Sequence, residues 1–119
     1  MSFKRSPLIW LQDMLSATNE NINFTEGMSF QEFLRSIQTI KAVLFNLQLI
    51  GEASIKVPEE LKQTYTEIPW KELRGLRNRV AHEYFDMNLE MIWVIVQEQL
   101  PILKPQLEEL LNALSEGTP

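Results

Sequence analysis

Apolar residues recur every three or four positions from residue 30 to residue 50, and this spacing constrains the fold more than any other feature of the sequence. The set comprises Phe30, Phe33, Leu34, Ile37, Ile40, Val43, Leu44, Leu47 and Ile50. Such spacing predicts one apolar stripe along a helix of about 20 residues and about 30 Å. Ser29 and Glu32 predict a capping box at its start. The helix then ends at Gly51 or runs one turn further.

The segments on either side also favour helices. Apolar positions within residues 6–21 fit one helical face, and the stretch "NFTEG" then breaks the pattern. Pro58 suits the first turn of a short helix, and Pro69 begins another element that stays helical despite Gly75. With short connections throughout, these patterns predict an all-α fold, an antiparallel bundle of four to five helices.

Residues 89–114 predict a last helical segment, which Asn88 caps and which Pro101 and Pro105 should kink or split. Within it, "MIWVIV" is apolar on every face for nearly two turns and must be buried all round. Burial against a second copy, which makes the protein a homodimer, is the favoured interpretation. A crowded single core is the alternative.

Length and composition narrow the class of protein. A chain of 119 residues predicts a single domain, residues 1–119, with a frayed end at about residues 115–119. The absence of cysteine and the single histidine argue against a thiolate or histidine-rich metal site. No apolar run is long enough to span a membrane, and a reducing cytoplasm is the expected location.

Positive charge gathers around the single histidine, although the net charge of the chain is −5. This balance argues against a general nucleic-acid coat, because nonspecific binding to phosphates needs many cationic contacts. A local basic site remains possible, since the sign of the charge near a site matters more than the total. The cations that fall within nine residues are Lys71, Arg74, Arg77 and Arg79.

Helical geometry separates the charged residues from the apolar ones. Leu73, Leu76, Val80 and Tyr84 share one stripe that should face the bundle. Arg77 and His82 are five residues apart, so they point about 140° away from each other on an ideal helix. They converge only if the Arg77 side chain bends around the helix, if the helix loosens near His82, or if two chains bring two copies together.

A purely structural interpretation is also open. Arg77 could pair with a buried carboxylate such as Glu52, and a histidine near a helix end is commonly a favourable C-terminal charge. Ordinary surface pairs are possible as well: Lys71 with Glu72, and Arg79 with Glu83. Residue types alone favour this interpretation.

Five sequence blocks nevertheless point to a known family when they are taken in order. They are "LQDML" at 11–15, "TEGMSFQEF" at 25–33, "AVLFNLQLIGEA" at 42–53, "IPWKELRGLRNRVAHEYF" at 68–85 and "IWVIVQEQLPILKPQLEELL" at 92–111. Over about 100 positions the chain resembles the HepT family of HEPN-domain ribonuclease toxins. The family signature is an arginine, a polar residue, three more residues, a histidine, and a tyrosine two beyond. Here these are Arg77, Asn78, His82 and Tyr84.

The resemblance implies a HEPN-like domain that dimerises with the two motifs facing each other and cleaves RNA without a metal ion or another cofactor. Arg77, Asn78 and His82 would be catalytic, and Arg74 and Arg79 would hold the RNA backbone. The residue types suit this chemistry. A neutral imidazole takes a proton from a 2′-hydroxyl near pH 7, and arginine binds phosphate oxygens. Because each chain has one histidine, a dimer would supply a second for the leaving oxygen.

The resemblance also implies an antitoxin, a minimal nucleotidyltransferase that adds adenylyl groups to Tyr84 in a type VII-like toxin–antitoxin system. A bulky, negatively charged group beside His82 would exclude and repel RNA phosphate. One departure concerns the segment "IKAVLFNL", where many relatives carry an acidic residue near Lys41 and an arginine at Phe45. Activity could therefore be weaker in this chain, or lost.

Two other classes of function stay open. The chain could be a non-catalytic helical partner, or a nucleotide-binding scaffold, of a minimal nucleotidyltransferase. It could also be a plain structural helical dimer.

Overall fold

Helices are the only regular secondary structure in the part of the chain that the computed structural model describes, residues 6–116. The α-helices are α1 (Pro7–Thr25), α2 (Phe30–Arg35), α3 (Ile37–Lys56), α4 (Glu59–Thr64), α5 (Trp70–Arg74), α6 (Leu76–Phe85), α7 (Leu89–Val94) and α8 (Leu100–Glu116). A π-helical turn, Ile95–Gln99, joins α7 to α8. The predicted all-α bundle is confirmed. No helix within these residues has the length and hydropathy to cross a membrane.

The predicted capping box at the start of α2 is confirmed. The Glu32 N–H donates to the Ser29 hydroxyl at 3.1 Å, and the Ser29 N–H donates to the Glu32 carboxylate at 2.9 Å. The hydrogen bond that the Ser29 backbone N–H donates to the carboxylate lowers the pKa of Glu32, and the Ser29 side chain lowers it further. The box therefore keeps its full strength down to mildly acidic pH.

The helix predicted from residue 30 is interrupted at Ser36. This residue leaves the helical region, with φ −105° and ψ 89°, and its hydroxyl accepts a hydrogen bond from the Thr39 N–H at 3.3 Å. Serine competes in this way for nearby backbone groups and starts a new helix. Beyond the interruption, α3 continues past Gly51 to Lys56, which is the longer of the two predicted ends.

The last helical segment is helical without a break from Leu89 to Glu116, so neither proline splits it, and a π-helical turn precedes one of them. Pro101 has no N–H to donate to the carbonyl of Gln97, and the residues just before it form the π-helical turn, in which the Leu100 N–H donates to the Ile95 carbonyl. Pro105 lies inside α8, which continues to Glu116. Of the end predicted to fray, Ser115 and Glu116 are helical, and residues 117–119 lie outside the described residues.

The core of the chain buries half of the apolar segment at residues 91–96. The Trp93 ring packs against Phe30 and Phe33, with centroid distances of 6.0 and 5.1 Å. The members of this segment that are fully buried are Ile92, Ile95 and Val96. Met91, Trp93 and Val94 are only half-buried, so the expectation that the segment is buried on every face is wrong for these three residues. The homodimer stays a prediction.

A close approach of two helices positions the charged stretch. A Cβ atom added to Gly51 of α3 would lie 3.1 Å from the Leu73 carbonyl oxygen and 3.3 Å from the Arg77 amide nitrogen. Both atoms belong to the backbone, so they cannot rotate away from an added methyl group. Glycine thus lets the backbone between α5 and α6 lie directly on α3.

We expect Gly51→Ala to lower the free energy of unfolding by about 1–2 kcal/mol. Overpacking costs about 1–3 kcal/mol, and the higher helix propensity of alanine offsets up to about 1 kcal/mol of that. Gly75→Ala is the matched control, because its added Cβ would be 3.7 Å from the nearest atoms and should leave stability unchanged or higher. Denaturant unfolding of both variants tests this, and equal effects would contradict the close approach.

Candidate active site

Three buried residues hold the charged stretch against the bundle. Leu73, Leu76 and Val80 are almost fully buried, and Tyr84 is half-buried at the end of the same stripe, as predicted. The opposite side of α6 therefore faces solvent. Two of the predicted site residues on that side, Asn78 and His82, are exposed.

Arg77 reaches across to α3. Its guanidinium forms an ion pair with the Glu52 carboxylate, with side chains 59% and 46% exposed respectively. The predicted pairing of these two residues is confirmed, although Glu52 is half-exposed rather than buried. An ion pair in such a wet environment is weak, so the guanidinium can exchange its partner.

His82 has a different carboxylate partner. Its Nε2 atom lies 3.1 Å from the Asp86 carboxylate oxygen, and its side chain is 71% exposed. In a neutral imidazole, an Nε2–H that donates to Asp86 leaves the other ring nitrogen as a proton acceptor. His82 also lies in the last turn of α6, where a positive charge is favourable.

A single chain does not bring Arg77 and His82 together. α6 is a regular helix from Leu76 to Phe85, so it does not loosen near His82. The Arg77 side chain turns towards Glu52 rather than around the helix. Neither of the two routes to convergence within one chain is therefore present in this structure, and convergence through a second chain stays a prediction.

The turn after His82 has an unusual backbone conformation. Met87 has a φ of 62°, and the Asn88 N–H donates to the Glu83 carbonyl at 2.7 Å. The Met87 N–H donates to the Tyr84 carbonyl, which completes a Schellman motif. Glycine usually occupies this left-handed position, so methionine carries some strain there.

The flanking arginines lie in different surroundings. Arg74 is exposed on α5 and lines a groove, whereas Arg79 is half-buried with its Nη2 atom 3.0 Å from the Met91 sulfur. Glu83, considered above as a partner of Arg79, accepts instead from the Asn88 side chain at 2.7 Å. The predicted binding of RNA by both arginines stays a prediction, and Arg74 is the more accessible of the two.

Tyr84 lines an open groove between α3 and α6. The groove has a volume of about 310 Å³, and Lys41, Phe45 and Phe85 also line it. The Phe85 ring packs edge-on against Tyr84, with a centroid distance of 5.8 Å. Tyr84 is therefore partly accessible rather than sealed in the core.

The contact between Asp86 and His82 was not predicted from the sequence, although the spacing of the two residues indicates it. Asp86 follows His82 by four residues, the spacing at which side chains meet on a helix. Among the described residues, no cluster of three or more histidine, aspartate or glutamate side chains could hold a metal ion.

Comparison with known proteins assigns the family. The family model described as "Ribonuclease HepT-like" matches residues 14–110. The chain belongs to the HepT-like ribonuclease family. It is 36% identical over 107 residues to the Thermococcus cleftensis protein named "Probable ribonuclease HepT", an alignment that covers 90% of this chain and 97% of that protein.

Two further relatives are similar along almost their whole length. A Methanocaldococcus jannaschii protein named "Putative RNase" is 34% identical over 113 residues, covering 95% of this chain and 97% of its own. A Caldanaerobacter subterraneus protein, also named "Putative RNase", is 32% identical over 108 residues, covering 91% and 96%. No solved structure matches the chain at a significant level.

We expect a weak interaction between Arg77 and Glu52. A double-mutant cycle of Arg77→Ala and Glu52→Ala should give a coupling energy of about 0.2–1 kcal/mol, because both side chains are partly solvated. The coupling should shrink as salt is added. A salt-independent coupling of about 3 kcal/mol or more, as for buried pairs, would show that the guanidinium is not free to change partner.

Proposed function

We propose that this chain is the toxin of a toxin–antitoxin pair, a homodimeric endoribonuclease that cleaves RNA without a metal ion through Arg77 and His82. One observation carries the proposal. In a member of the HepT-like ribonuclease family, the only histidine is solvent-exposed, with one ring nitrogen held by Asp86. Such an imidazole is available as a general base.

The reaction is an internal displacement at phosphorus. The free nitrogen of His82 takes the proton of a 2′-hydroxyl, the 2′-oxygen attacks the adjacent phosphorus, and the bond from phosphorus to the 5′-oxygen breaks. The 5′-oxygen leaves with a proton, which the imidazolium of the second copy donates. The products are a 2′,3′-cyclic phosphate and a 5′-hydroxyl. Asp86 orients the imidazole.

Arg77 would stabilise the charge that develops on the phosphate. Its guanidinium presents donors to two oxygens at once, and Asn78, one residue further on, adds an amide donor. RNA phosphate must displace Glu52 for this to happen. Because that ion pair is partly solvated, its loss costs at most about 1 kcal/mol.

The exposed apolar side chains beside α6 support a dimer. Phe45 is 65% and Phe85 is 81% exposed, and both line the groove that contains Tyr84. Met87, in the turn that follows α6, is exposed as well. Isolated monomers rarely leave large apolar side chains together in water. Phe45 cannot bind phosphate, but it suits a surface that a second copy covers.

Tyr84 would be the site at which the antitoxin switches the toxin off. In an adenylyl transfer from ATP, the tyrosine oxygen bonds to the α-phosphorus, pyrophosphate leaves, and the hydroxyl proton is released. In an unpaired chain the groove around Tyr84 offers room for the added group, and Lys41 offers it a positive charge. The modified residue lies two positions from His82, so it would repel a substrate phosphate.

We expect His82→Ala to lower the rate of RNA cleavage by about 10²- to 10⁴-fold, which is the usual contribution of a general base. His82 is exposed, so the variant should keep its fold. Asn112→Ala, an exposed change on α8, is the control and should cleave like wild type. Cleavage is followed on RNA with a chelator present.

Two results would contradict the catalytic proposal. Equal cleavage by wild type and His82→Ala would remove His82 from the mechanism. Absence of cleavage by wild type, together with stable binding to a nucleotidyltransferase, would favour the non-catalytic partner instead.

For Tyr84, we expect adenylyl groups to appear by intact-mass measurement after co-expression with a minimal nucleotidyltransferase. Tyr84→Phe should remove the modification and preserve the fold, because the ring still fills the same half-buried position. Tyr65→Phe is the control, since Tyr65 is the chain's other tyrosine. Equal modification of Tyr84→Phe and wild type would contradict the assignment.

A further inference from the structure

A second positively charged surface lies between α4 and α5, outside the groove that contains Tyr84. We call it the cationic groove and define it by Lys62, Lys71, Arg74 and the indole of Trp70. Its volume is about 380 Å³, which is within the range of small-molecule sites. The other lining residues are Glu59, Gln63 and Thr66.

The charge of the cationic groove is opposite to that of the whole chain. The protein has 16 acidic and 11 basic residues, but the groove lining has three cations and one carboxylate. A concave surface of one sign attracts ligands of the other sign, even on an acidic protein. The groove therefore suits an anion.

The aromatic ring that lines the groove is held in place. The Trp70 indole N–H donates to the Tyr65 carbonyl at 2.9 Å, so the ring has a fixed orientation. The Lys62 ammonium lies over the ring, 5.9 Å from its centroid, which is a cation–π distance, so a base that stacks on this face has to displace it. A fixed aromatic ring with cations beside it combines the two features by which proteins bind single-stranded nucleic acid, base stacking and phosphate contacts.

We propose that the cationic groove binds single-stranded RNA next to the cleaved bond, with phosphates on Lys62 and Lys71 and a base against Trp70. Arg74, in the last turn of α5, precedes Arg77 by three residues, so a strand can pass from the groove towards the motif. This inference rests on the proposed function and adds to it a substrate class, an unpaired strand. The groove, more than the motif, would hold the RNA.

The test measures RNA binding without cleavage. All proteins carry His82→Ala, and the probe is a fluorescent single-stranded RNA oligonucleotide titrated at several salt concentrations. Each phosphate contact contributes about 0.7 to the slope of log affinity against log salt for single strands. Lys62→Ala with Lys71→Ala should therefore reduce the slope by about 1.4. Arg35→Ala with Lys104→Ala removes the same charge elsewhere and should leave the slope unchanged.

An unchanged slope in the groove variant, or an equal reduction in the control, would overturn the inference. Lys71→Ala alone, at an exposed position, should reduce the slope by about 0.7 and serves if the double variant does not fold. Unchanged RNA binding with loss of nucleotidyltransferase binding would also overturn it, and would assign the groove to an acidic protein partner.

Cleavage by the chain with native His82 is measured separately, so the two proposals fail independently. If cleavage depends on His82 but the salt slope of the groove variant is unchanged, RNA binding by the cationic groove is refuted and the catalytic proposal is not. A reduced slope without any cleavage supports the groove as an RNA-binding site and refutes the catalytic proposal.

Discussion

The close approach of α3 to the backbone between α5 and α6 is the constraint on which the rest of the site depends. Only a glycine at position 51 leaves room for the Leu73 carbonyl and the Arg77 amide. With the backbone held there, Leu73 and Leu76 fill the core, and the next residue after Gly51, Glu52, meets the Arg77 guanidinium. A packing requirement thus decides where the charged residues of α6 emerge.

Each of the two central side chains is held by its own carboxylate. Arg77 contacts Glu52 on α3, and His82 contacts Asp86 after α6. Within one chain the two groups lie apart, each beside its own partly solvated carboxylate. In the proposed mechanism one chain supplies only part of the site, and the exposed apolar side chains beside α6 are where we propose that a second copy meets the first.

Periodicity predicted the helices well, because burial of one face is a local property of the sequence. The capping box at Ser29 and the pairing of Arg77 with Glu52 were likewise anticipated. The interruption at Ser36 was not, since the apolar spacing continues across it and only the serine hydroxyl changes the backbone. The left-handed Met87 was also missed, because no glycine signals it. The setting of Arg79 depends on Met91, a contact between α6 and α7 that periodicity does not predict.

Assembly in solution tests most directly whether a second copy completes the site. Sedimentation velocity measures the oligomeric state of the wild-type chain and of the Phe85→Asp variant. Phe85 is 81% exposed, so this substitution changes the proposed contact surface and not the core. A stable wild-type dimer, with a monomeric Phe85→Asp variant that no longer cleaves RNA, is the expected result. A strictly monomeric wild-type chain that still cleaves RNA would contradict a site shared between two copies.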